Sequence, residues 1–160
     1  MPADILTGVS IATTEARHNA RLNSAALKGT PWSGAFDTDI DGNQALTLVT
    51  PFYSNCPVGN PPLAFTANPQ LRIFGTVKPQ RTVTLQYTAS AAGPLYLAFL
   101  TGMQTEFALI TNNQATIPAG LQGTVYALVT TSNVAVTDAN TVAGPAVLEF
   151  PFPASASVPN

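Results

Sequence analysis

RTVTLQYT, residues 81–88, decides the fold. Val83, Leu85 and Tyr87 alternate with Thr82, Thr84 and Gln86, the two-residue period of a strand with one buried face. Working outward, LYLAFLT at 95–101 is almost continuously apolar, as a central strand buried on both faces would be. TEFALIT at 105–111 follows a Gly-Met-Gln turn, QATI at 114–117 is short, and GTVYALVTT at 123–131 alternates again. Residues 133–136 and 146–150 read as two more strands, QLRIFG at 70–75 as an earlier one, and ALTLVT at 45–50 as the first, ending at Pro51. Between these, YSNCPVGNPPLAFTANP (53–69) carries four prolines and suits irregular or edge backbone.

Eight or nine short strands separated by regular turn signals predict a mainly β fold, an antiparallel sandwich of the immunoglobulin-like or fibronectin-like kind. A Cys…Trp…Cys pattern is absent from the sequence, so an antibody-type domain is not indicated. The chain divides into a helix at 1–29, a connector at 30–43, the sandwich at 44–153 and a flexible tail at 154–160.

The helix is read from ADILTGVSIATTEARHNARLNSAALKG, residues 3–29. Ile5, Val9, Ala12, Ala16 and Ala20 recur at steps of three and four, on one face. Ile11 and Leu22 widen the apolar arc, and Thr14, Arg17, Arg21 and Lys28 cover the other side. Gly29 after Lys28 is the expected stop, giving a helix of roughly six to seven turns. A face this apolar needs a partner, so self-association or docking onto further helices is expected.

Glu15 and His18, one turn apart, lie between Ile11 and Leu22 on the helix surface. A Glu and a His at i and i+3 on an inward face form the ligand unit of di-iron carboxylate bundles. Such a site also needs carboxylates and a second Glu/His pair from other helices, and Asp4 is the other acid on this one. A structural Glu–His or Glu–Arg pairing fits the same spacing. In the connector, Asp37, Asp39 and Asp41 precede Gly42 at alternate positions, a spacing that can converge on Ca²⁺. Position twelve of that loop is Leu48, which excludes an EF-hand. The alternative is a solvated turn in which the Asp side chains bond their own backbone.

The stretch IATTEARHNARLNSAALKGTPWSGAFDTDI, followed by prolines and then strands, resembles the C-terminal part of fungal ferritin-like stress and sexual-development proteins, which are related to plant desiccation proteins. The resemblance implies that Glu15-Ala16-Arg17-His18 is the E-A-R-H motif of the last helix of a four-helix bundle, followed by a β-rich domain. It also implies that the three preceding bundle helices are missing, so that this chain is a fragment, a processed product or a shortened relative. Glu15 and His18 would then be half of an iron, manganese or zinc site, completed by the missing helices or by other copies.

Composition narrows the rest. Charged residues are 9% of the chain against about 25% in ordinary domains. Six Lys and Arg with no dense cluster, at net charge −2, argue against nucleic-acid binding. No apolar run reaches the length of a membrane span. Asp4 and the threonines interrupt any apolar core at the start, so no secretory signal is read there. Low charge with many Thr, Asn, Gln and Pro nevertheless resembles extracellular or cell-wall β-domains. Cys56 is alone, and reads as a small buried hydrophobe, as half of a bridge to another chain, or as a cysteine whose partner lay in the missing segment. With one histidine, on the helix, no Ser-His-Asp arrangement forms without it, and Glu106 and Glu149 read as solvent-facing strand residues. The expected function is a non-catalytic structural or interaction module, self-associating through its helix. The alternatives are metal binding through Glu15 and His18, and a calcium- or carbohydrate-binding sandwich.

Overall fold

Val83 and Leu85 are buried while Thr82, Thr84 and Gln86 are exposed, the alternation read from the sequence. The computed structural model describes residues 3–55, 57 and 59–152. Cys56 and the tail at 154–160 lie outside the described residues. Helix α1 spans Ala3–Arg21 and runs on as a π-helical turn, Leu22–Ala26. A second helix, α2, spans Gly42–Val49 and ends in a 3-10 turn, Thr50–Phe52. The strands are β1 (Arg72–Phe74), β2 (Thr82–Gln86), β3 (Tyr96–Thr101), β4 (Gln104–Leu109), β5 (Gln114–Thr116), β6 (Gly123–Thr130) and β7 (Thr141–Phe150).

They form two antiparallel sheets, ordered β1-β2-β5 and β4-β3-β6-β7. One apolar cluster joins them. Leu71, Val83, Leu85 and Ala115 on the first sheet's side meet Leu97, Phe99, Val125, Ala127, Val129 and Leu148 of the second. This is the core of a β-sandwich. Each large side chain removed from water here contributes about 1.5–3 kcal/mol.

The apolar run 95–101 has its explanation in the register. Strand β3 lies inside its sheet, with Ala98 opposite Phe107 of β4 on one side and Leu128 of β6 on the other. Leu97 and Phe99 face the core, and Ala98 and Leu128 on the opposite face are fully buried as well.

Three sequence expectations are corrected. Residues 45–50 form helix α2 and its end, not a first strand. Asp41 accepts the Gln44 N–H at 2.8 Å, and the Gln44 side chain accepts the Asp41 N–H at 3.3 Å. This capping box starts a helix that the β-branched Thr47, Val49 and Thr50 alone do not suggest. Residues 133–136 form no strand. Asn140 ties that loop together, accepting from Thr137 N–H at 2.8 Å and from the Thr130 hydroxyl at 3.1 Å while donating to the Ala135 carbonyl at 2.9 Å. The last strand begins at Thr141, not Ala146. Pro145 falls where the β6–β7 register shifts, between the pairs Ala127↔Ala146 and Val129↔Ala143, so the N–H it lacks interrupts no regular ladder.

Helix α2 packs against β7 and is stitched to the segment entering β1. Asn43 Oδ1 accepts from Thr66 N–H at 2.8 Å, and Thr47 Oγ1 accepts from Asn68 N–H at 2.7 Å while donating to the Asn43 carbonyl. Thr47 is therefore buried with its hydroxyl satisfied.

Candidate functional site

The residues singled out in the sequence lie on α1 and on the connector below it. Among the described helices and strands, α1 packs extensively only with its own π-helical continuation. Ile5, Val9 and Ile11 are each half exposed or more, and Leu27 is 75% exposed. Glu15 and His18 are both exposed on this helix. The apolar arc read from the spacing is therefore real, and it faces solvent.

The helix ends differently from the expectation. Lys28, not Gly29, takes the left-handed conformation, with φ of 56°. The Gly29 N–H then reaches back to the Asn23 carbonyl at 2.8 Å, and the Leu27 N–H to Leu22 at 3.0 Å. This is a left-handed C-terminal closure, one residue wider than usual because the last turn is π-helical.

Beyond it, residues 31–38 form a strap against the end of the β4-β3-β6-β7 sheet. The Thr124 N–H donates to the Ser33 carbonyl at 2.7 Å. The Gly102 N–H, in the turn between β3 and β4, donates to Thr38 Oγ1 at 2.7 Å. The strap has Phe36 and Trp32 largely exposed, at 64% and 63%. A groove of about 460 Å³ opens on one side, between Phe36, Met103, Gln104, Glu106 and Phe152. A second, of about 620 Å³, opens between the strap and α1, where Ala12, Glu15, Ala16 and Ala20 face Trp32 and Asp37.

The three aspartates do different work. The Asp41 carboxylate caps α2, and Asp37 accepts a short hydrogen bond from the Ser33 hydroxyl. Asp39 is exposed. Among the described residues, no three His, Cys, Asp or Glu side chains gather where they could hold a metal ion. The geometry thus separates Asp37 from Asp41 by role, and among the described residues Glu15 and His18 belong to no group of three such side chains.

A polar group that spacing did not reveal sits where the strap meets the sheet. Burial, together with the Asp37 and Glu149 carboxylates, pushes the Tyr126 phenol above its ordinary range. Glu149 accepts from the Thr124 hydroxyl at 3.0 Å. The alternation of β6 puts Thr124 and Tyr126 on the face opposite Val125 and Ala127. That much was legible; the approach of Asp37 depends on how the strap folds back. No helix among the described residues is long and apolar enough to cross a membrane. No family model matches the chain, and no curated protein matches it.

Proposed function

We propose that this chain is a non-catalytic interaction module that self-associates through α1, and that it derives from a ferritin-like, stress- or development-associated protein of extracellular or cell-wall location. One observation carries the first part: a helix of 19 residues on which Ile5, Leu6, Val9 and Ile11 are each half exposed or more among the described residues. A lone helix of this length gains little in water from propensity alone, and helices in proteins draw their stability from packing an apolar face. The E-A-R-H motif and the low charge support the family and the location. The strand order supports reading the sandwich as immunoglobulin-like. Two strands form one sheet, the chain crosses to build β3 and β4, returns for β5, and crosses again for β6 and β7.

The test is the mass of the full chain in solution, by sedimentation or light scattering across a hundredfold range of concentration. An assembly heavier than one chain, dispersed by Val9→Glu, is the expected result. A single-chain mass at every concentration would overturn the proposal.

A further inference from the structure

Eight apolar side chains stand half exposed or more on α1, its π-helical end and the strap: Ile5, Leu6, Val9, Ile11, Leu22, Leu27, Trp32 and Phe36. At about 100 Å² each they present on the order of 800 Å² of apolar surface. The largest patch on an ordinary monomer is about 300–600 Å², and a stable interface covers about 800 Å² on each partner. Ile11 and Leu22 stand on the side of α1 away from Ile5 and Val9, so a single partner covers part of this surface and not all of it.

The charges indicate what covers it. Ala16 stands at the middle of the face that also carries Ile5, Val9, Ala12 and Ala20. Glu15 and Arg17 are its sequence neighbours, so at 100° per residue they project to opposite sides of that face. Asp4, three turns before Glu15, falls on the acidic side. Arg21, one turn after Arg17, falls on the basic side. One flank is acidic and the other basic, on a single helix.

Two antiparallel copies related by a two-fold axis would bring like flanks together, Glu15 beside Glu15. Parallel copies bring the acidic flank of each against the basic flank of the next. The surface is therefore complementary to itself in the parallel arrangement alone. A groove of about 620 Å³ lies beside Ala12, Ala16 and Ala20, with Trp32 of the strap on its far wall.

We infer that α1 packs in parallel against α1 of a second copy of this chain, with the apolar face of Ile5, Val9 and Ala16 covered and Glu15 of one copy set against Arg17 of the next. This rests on the helix being the element of self-association and adds its direction, its contacts and its partner. It also gives Glu15 a cation for a neighbour in the assembly.

The experiment compares the association constants of the full chain with those of Glu15→Arg, Arg17→Glu and the double swap. Helix content and the melting of the sandwich are followed in parallel as controls. Each single reversal places like charges between copies and is expected to weaken association roughly tenfold, as symmetric contacts near the upper end of the exposed ion-pair range add. The double swap restores it. If the chain assembles but all four proteins associate equally, or the double swap fails to restore association, the parallel contact is overturned while self-association stands. If the unaltered chain does not assemble at all, both fall.

Discussion

The Ser33 carbonyl accepts a 2.7 Å hydrogen bond from the Thr124 N–H, and this single bond joins the helix-bearing strap to the first residues of β6. The close approach depends on the residue before Thr124. A Cβ on Gly123 would lie 1.7 Å from the same Ser33 oxygen, and Gly123 also has φ of 74°. Backbone meets backbone there with no flexible side chain to move aside.

Gly123→Ala should therefore release the strap. The clash is with a carbonyl, and the left-handed conformation adds about 1–2 kcal/mol for a residue with a Cβ. The expected result is a lower melting temperature and faster amide exchange at Thr124 and Gly102, with exchange in β3 hardly changed. Unaltered exchange at Thr124 would mean that the strap is not held by this approach.

Asp41 links the connector to α2, and its carboxylate serves the helix cap. Replacing it with Ala removes the acceptor for the Gln44 N–H and should cost about 0.5–2 kcal/mol. Asp39→Ala, at an exposed neighbour, should stay within about 0.5 kcal/mol. Chemical denaturation of the two variants checks the contrast. Equal losses would place Asp39 in a structural role that its exposure does not suggest.

Tyr126 sets an alkaline limit. Burial and the nearby Asp37 and Glu149 carboxylates raise its folded pKa above the ordinary value near 10. Below that value the phenol is protonated in both states and has no effect. As pH rises past it, the unfolded chain ionises first, so stability falls until the folded value is passed. Tyr126→Phe should flatten this alkaline decline in a series of melting curves above about pH 10. Part of the decline should remain, because burial raises Tyr87 in the same direction.

The strands were legible because their periodicity reports burial directly. Val83 and Leu85 alternate, and the run 95–101 is apolar because β3 has Ala98 buried on one face and Phe99 on the other. Helix α2 was hidden by Thr47, Val49 and Thr50, whose β-branched side chains favour strands. The signal that finds it is Asp41 with Gln44 three residues later. The strap was not legible at all. Ser33 and Thr124 are 91 residues apart by their numbers, and nothing local in either marks the other. The same holds for Asp37 near Tyr126. On α1 the apolar spacing was read, but its exposure could not be, since a spacing says which residues share a face and not what covers them.

That exposure separates the helix from the stability of the sandwich, and the separation is measurable. Phe99 is fully buried between the sheets, so Phe99→Ala should cost about 3–5 kcal/mol through lost burial and the cavity left behind. A domain of this size is stable by about 5–15 kcal/mol in all, so the loss should be severe. Removing residues 3–26 deletes many apolar side chains, yet none belongs to that core. Burial, not apolar content, sets the contribution, and the shortened chain should melt as the full chain does when both are monomeric. At concentrations where the full chain assembles, its melting temperature should rise with concentration while that of the shortened chain stays fixed, because binding stabilises only the state that binds. A shortened chain that fails to fold would show that α1 contributes to the sandwich directly, against the contacts described above.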